Sequence, residues 1–251
     1  MRITAMIPIF IFCGMAVVVG LRLLSLWWKT RQLPELCIGL GIVLISVVGM
    51  PLSALGRLPN TVGTRFGNVV FAVGLSLACS GIALLFAFTW RVFRAEALWA
   101  RLAMLAASLA MATLDLGLIH AASQGSTLSE VLPRTRPWAV GIVSMVVLAF
   151  AWGGFEALRY FRLLRRRQAL GLADPVVTNR FLLWAIADWT AVLLCGSVAG
   201  FLLAGKAVLI DPLALCTIAL TGTVMSVTWY LTFFPPAAYL RYVRHAPDEL
   251  L

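Results

Sequence analysis

Charge is scarce in this sequence, and acid scarcer still. Only 12% of its 251 residues are charged, with 10 Asp and Glu against 20 Lys and Arg. Soluble domains carry roughly twice that charge density, so a water-soluble globular fold is excluded. Histidine is nearly missing, with His120 and His245 the only two. A multi-histidine zinc hydrolase within a bilayer, or a haem held there by two histidines, needs more than this, since His245 falls in the tail. The 5 cysteines (Cys13, Cys37, Cys79, Cys195 and Cys216) are odd in number, form no CxxC and lie inside apolar runs. Neither a disulfide framework nor a zinc site is expected, and they read as small buried hydrophobes. No metal and no cofactor is expected.

What the chain does have is apolar length. Hydrophobic residues make up 62% of it, and a helix needs about 20 of them to cross a bilayer. Seven segments qualify, at about 4–28, 34–55, 68–93, 102–120, 138–161, 181–204 and 212–234. The expected fold class is all-α: a polytopic membrane protein forming one seven-helix transmembrane bundle over residues 1–251. The first segment lacks a small-residue cleavage site and reads as a retained helix rather than a signal peptide. Pro34, Pro137 and Pro212 sit where a first helical residue can lack its N–H. Asn179 and Asp211 are placed to cap helices, and Glu35 falls in a first turn, where the helix dipole favours it. Pro235-Pro236 should end the seventh helix, leaving Ala237 to Arg244 to lie along the inner surface. The tail RYVRHAPDELL is too short for an effector domain.

Orientation follows from the basic residues. Six of the 20 lie at the N-terminus and in the loops after the second, fourth and sixth segments: Arg2, Arg57, Arg65, Arg134, Arg136 and Lys206. The other fourteen lie on the opposite side. The positive-inside rule puts the N-terminus outside and the C-terminus in the cytoplasm, and the expected location is a bacterial cell inner membrane. Trp27, Trp28, Trp90, Trp99 and Trp184 fall near the inner interface and Trp138 near the outer one, as an aromatic belt would. Clustering of the basic residues between apolar runs argues for topology and against nucleic acid. The densest cluster, Arg162, Arg165, Arg166 and Arg167, could also grip anionic lipid. Two stripes of small residues, Ala72-Ser76-Ser80 and Gly196-Gly200-Ala204, suit close helix packing within the chain, or failing that a homo-oligomer.

The candidate site lies in the inner half of the membrane. Asp188 sits about two turns into the sixth segment, where a carboxylate needs a partner, a proton or a water-filled cavity. No Lys, Arg or His lies three or four residues from it, so another helix must satisfy it. Counting about 1.5 Å per residue, Asp188 and Trp189 share a depth with Trp152 and Glu156 of the fifth segment and with Trp229 and Tyr230 of the seventh. Such a lining suits a small amphipathic or cationic ligand, through carboxylate pairing and cation–π contact. The plainer reading is that Glu156 pairs locally with Arg159 and that the tryptophans only pack. A weaker set toward the outside joins Asp115 and His120 with Glu130, Lys206 or Asp211. Ser80 and Ser197 each neighbour a glycine, but no histidine is placed to activate either, and no enzymatic activity is expected.

Three transmembrane classes can be compared residue by residue. A retinal pigment needs a Schiff-base lysine in its seventh helix, and residues 213–234 contain none. Arg91 and Pro236-Ala237-Ala238-Tyr239 superficially resemble the microswitches of G-protein-coupled receptors, but the acidic neighbour of that Arg and the Asn before that Pro are missing. A 3+1+3 sugar transporter would bring Pro-Gln motifs, and the chain has no such pair. The leading expectation is a receptor-like or sensory module that binds a small ligand or lipid and acts through a protein partner. The alternatives are a small secondary transporter or proton-coupled carrier using Asp188 and Glu156, and an accessory subunit of a membrane complex.

Overall fold

The computed structural model describes residues 2–58, 60–206, 208 and 211–245, the side chains of 2–9 and of 128 excepted. The end of the tail, 246–251, and the Arg2 side chain therefore lie outside the described residues. Every regular element among them is helical. Seven helices are long and apolar enough to cross a membrane: α1 (Arg2–Thr30), α2 (Leu33–Leu55), α3 (Arg65–Phe93), α4 (Leu98–Ser123), α5 (Leu128–Gln168), α6 (Pro175–Leu203) and α7 (Pro212–Phe233). A short amphipathic helix, α8 (Ala237–His245), follows the Pro235-Pro236 break.

Some helix starts follow the expected chemistry and others correct it. Asp211 Oδ1 accepts from the N–H groups of Leu213 at 3.0 Å and Ala214 at 3.2 Å, with Pro212 as the first helical residue. The Ala214 N–H, with the Lys206 ammonium 3.3 Å away, holds the Asp211 carboxyl below the usual carboxylate range. Asn179, in contrast, caps nothing. α6 begins at Asp174-Pro175, where Asp174 accepts from the Val176 N–H at 2.7 Å, and the Asn179 amide instead donates to Tyr239 of α8 at 2.7 Å. Pro137 is not a first helical residue either. α5 starts nine residues earlier and runs for 41, with Pro133 and Pro137 inside it. Thr127 takes the N-cap position there, and Glu130 accepts from the Ser126 N–H at 3.0 Å, so the first turn is held from outside the helix.

α2 is not uniform. Residues Val43–Gly49 form a π-helical stretch between two α-helical ones. Pro51 follows at once and has no N–H to return to the preceding turn, so a wider turn there relieves the clash of its ring.

Six helices close a ring, each packed on the next in the order α1, α2, α3, α5, α6, α7 and back to α1. α4 lies outside it, against α3 and α5. The tightest seam joins α2 to α3 through glycines. A Cβ on Gly49 would lie 2.6 Å from the Ala78 amide nitrogen, one on Gly56 2.5 Å from that of Phe71, and one on Gly81 2.8 Å from the Gly41 carbonyl. Gly74 meets the Ser53 backbone in the same way. The small-residue stripes chosen from sequence behave differently. Ser76 reaches α4, where it bonds Asp115, whereas Gly196 and Gly200 have nothing within 4 Å and Ala204 is exposed. The α6 stripe therefore faces outward rather than into a helix seam.

The seam makes a direct prediction. Gly74→Ala forces a methyl against backbone and should destabilise the fold by about 1–3 kcal/mol. Gly14→Ala, where nothing lies within 4 Å, should be neutral or stabilise by up to about 1 kcal/mol. Thermal unfolding midpoints of the two variants beside the parent protein measure this.

Candidate functional site

The ring surrounds a partly open cavity of about 500 Å³. Its walls come from all six ring helices and none from α4. Most of the lining is aliphatic: Ile42 and Ile45 of α2, Leu75 and Ile82 of α3, Ile142 and Val146 of α5, Leu194 of α6 and Ile218 of α7. Aromatic rings gather at the Arg-rich end. Phe88 meets Trp184 edge-on at 5.7 Å, and Phe93 meets Tyr160 at 5.1 Å and Phe181 at 6.2 Å. Phe88, Phe93 and Trp184 of this cluster line the cavity, and so does Trp229, which packs on Phe12 of α1 at 5.4 Å.

Asp188 is the one carboxylate in the wall. It is half-buried and sits opposite Gly153-Gly154 of α5. A methyl on Gly153 would lie 2.8 Å from Asp188 Oδ2, and one on Gly154 3.1 Å from Asp188 Cβ. Glycine at both positions is thus what lets α6 bring the carboxylate this close to α5. Thr89 of α3 is beside the same spot, its Oγ1 3.7 Å from the Gly153 methyl position, and its hydroxyl donates to the Leu85 carbonyl. Among the described residues, the carboxylates that take hydrogen bonds or ion pairs are Glu35, Asp115, Glu130, Glu156, Asp174 and Asp211, and not Asp188. The partner on another helix that its isolation demands is not found among the described residues.

The six residues singled out from sequence do not converge. Asp188 and Trp229 face the cavity. Trp189 and Tyr230 are 42% and 43% exposed and line none of it, so both point away from the ring's interior. Trp152 lies on the far side of α5, against Phe86 of α3 and Trp99 of α4, at 6.2 and 6.0 Å. Glu156 is 1% exposed and belongs to an ion pair outside the cavity. Its Oε1 accepts from Arg94 Nε at 2.7 Å, while Arg159, the local partner expected from sequence, stands farther off at 3.6 Å. The outer set also dissolves. Asp115 accepts from Ser76 at 2.7 Å, Lys206 pairs with Asp211, and His120 is exposed. Sequence reasoning missed Thr89, Trp184 and the Gly153-Gly154 pair. Trp138 packs on Gly117 of α4. The glycine pair was the readable signal, since two adjacent glycines in a long apolar helix mark a close approach.

No protein-family model, curated protein or solved structure matches this chain.

The Glu156 pair is open to test through stability. Removing one partner of a buried ion pair leaves an uncompensated charge and costs about 3–5 kcal/mol. Arg94→Ala should fall at the lower end, because Arg159 is still within reach. The double variant Arg94→Met with Glu156→Gln should recover most of that loss in chemical-denaturant unfolding.

Proposed function

We propose that this chain is a receptor-like or sensory multi-pass membrane protein that holds a small ligand or lipid inside its helix ring and acts through a protein partner. One observation carries the reading: a partly open, apolar cavity of about 500 Å³ with a single carboxylate in its wall that has no partner among the described residues. That combination of an apolar body and one orienting polar group is what small-molecule sites offer. Membrane residence is supported by the outward faces of the helices, where Phe66, Leu109, Leu116, Leu193 and Leu220 are each at least 67% or, for Leu193, 66% exposed. Apolar exposure on that scale marks contact with lipid or protein rather than water.

The inner membrane, with the C-terminus in the cytoplasm, is the orientation favoured by fourteen of the 20 basic residues lying at one end. Arg162, Arg165, Arg166 and Arg167 are all exposed on the last turns of α5, as contact with anionic head groups requires. A partner, or a second copy of this chain, would meet the outward faces.

Transport is the second reading, and one observation favours it. The π-helical stretch of α2 borders the cavity through Ile45 and Ser46, and irregular helices beside a binding site are a feature of carriers. Against it, Glu156 is committed to Arg94, which leaves Asp188 as the one free carboxylate of the pair it invoked.

Native mass spectrometry of the purified protein tests the leading reading. A retained small molecule or lipid is expected, lost when Ala191→Phe fills the cavity; a bare protein in every preparation would sink the pocket. Orientation is checked separately with C-terminal reporter fusions. A cytoplasm-active reporter should signal and a periplasm-active one should stay silent.

A further inference from the structure

We propose that the cavity takes a lipophilic monocation, a molecule with an apolar body and one positively charged amine that pairs with Asp188. This rests on the reading of the cavity as a ligand site and adds the ligand's chemical class. Four observations bear on it. Asp188 is the only acid or base in the described wall apart from the thiols of Cys13, Cys79 and Cys195. Two basic side chains of the ring helices are engaged elsewhere, Arg94 on Glu156 and Arg22 over the Phe234 ring at 4.4 Å, and no ion pair among the described residues includes Asp188. No described cation of the chain pairs with this carboxylate, and in an apolar setting it stays ionised only where a cation does so. The polar groups beside it cannot take that place, since the Thr89 hydroxyl donates to Leu85 in its own helix.

The aromatic rings give the second half of the argument. Trp184 lies one helical turn before Asp188 on α6, and Phe88 is next to Thr89 on α3; all four line the cavity. Ring faces carry partial negative charge and attract a cation within about 6 Å, most strongly when water is excluded. A carboxylate beside such rings selects positive charge twice over. An anionic ligand would meet repulsion from both. The rest of the lining sets the remainder of the molecule: an unbranched or compact hydrocarbon body, since apart from Ser46, Thr89 and three thiols that lining is apolar.

The test is a charge series on one hydrocarbon chain. Decylamine, decanol and decanoate are offered to the protein in lipid nanodiscs, and binding is read by native mass spectrometry and by the shift in thermal midpoint. The expected result is one decylamine per chain, bound at least about tenfold more tightly than decanol, with decanoate weakest. Asp188→Asn should abolish the preference for the amine while decanol still binds, and Asp188→Glu should restore it. Equal binding of decanol and decylamine, or an amine preference that survives in Asp188→Asn, overturns the monocation while the cavity stands. No binding of any of the three, with Ala191→Phe indistinguishable from the parent, overturns the cavity reading itself and this proposal with it. If Asp188→Asn fails to fold, the charge series on the unaltered protein decides alone.

Discussion

Backbone contact between helices sets the shape of this molecule. Helices with side chains are about 10 Å across, and six of them in a ring leave a central space. How much of that space survives depends on how closely neighbours approach. On two sides glycine removes the side chain altogether: along the α2–α3 seam, through Gly41, Gly49, Gly56, Gly74 and Gly81, and at Gly153-Gly154, where α5 receives α6. Those contacts fix the backbones, so the inward-facing side chains cannot shift inward with them to fill the centre. The cavity follows from the seams, and α4, which contributes to neither, adds nothing to its wall.

The same geometry sorts three carboxylates that look alike in the sequence. Asp115 faces Ser76 across the α3–α4 interface and takes its hydroxyl. Glu156 emerges at the Arg-rich end of α5, where Arg94 closes α3 and can reach it. Asp188 turns into the ring, where no described donor bonds it. Burying a charge is tolerated when it is paired and hydrogen-bonded. Glu156 has both inside the fold, and Asp115 has one hydroxyl donor while its Oδ1 is buried with no partner among the described residues. Asp188 has neither among them, and its place in the cavity wall is what separates a structural carboxylate from one available to a ligand.

Helix number was legible because apolar length is a one-dimensional property. Helix starts were legible only where the capping residue was recognised. Asn179 and Pro137 lie nearer the apolar runs, but the caps are at Asp174-Pro175 and at Thr127-x-x-Glu130, several residues before hydropathy rises. The site was half legible for a geometric reason. Depth along a helix can be counted from sequence, but direction around it cannot be assigned without knowing the neighbours. Successive residues point about 100° apart, so of Asp188 and Trp189, or of Trp229 and Tyr230, one member turning inward sends the other out. Trp152 and Glu156 share a face, but it is the face of α5 turned toward α3 and α4 rather than toward the ring. Spacing alone does not show which glycines decide these directions: nothing lies within 4 Å of a Cβ placed on Gly196 or Gly200, four apart, while Gly74 and Gly81, seven apart, belong to the seam.

A void of this size is itself an argument about occupancy. Residual cavity volume is costly in a protein core, and a space of about 500 Å³, though partly open, leaves many apolar side chains without packing partners on one side. Collapse would be the natural relief, but the α2–α3 seam is already at backbone contact, and at the α5–α6 seam the Asp188 side chain lies directly against Gly153-Gly154. Water is a poor filler, because nearly all the lining is hydrocarbon and a buried water needs two to four polar partners. An apolar molecule satisfies the walls, and a polar group at one end of it satisfies Asp188.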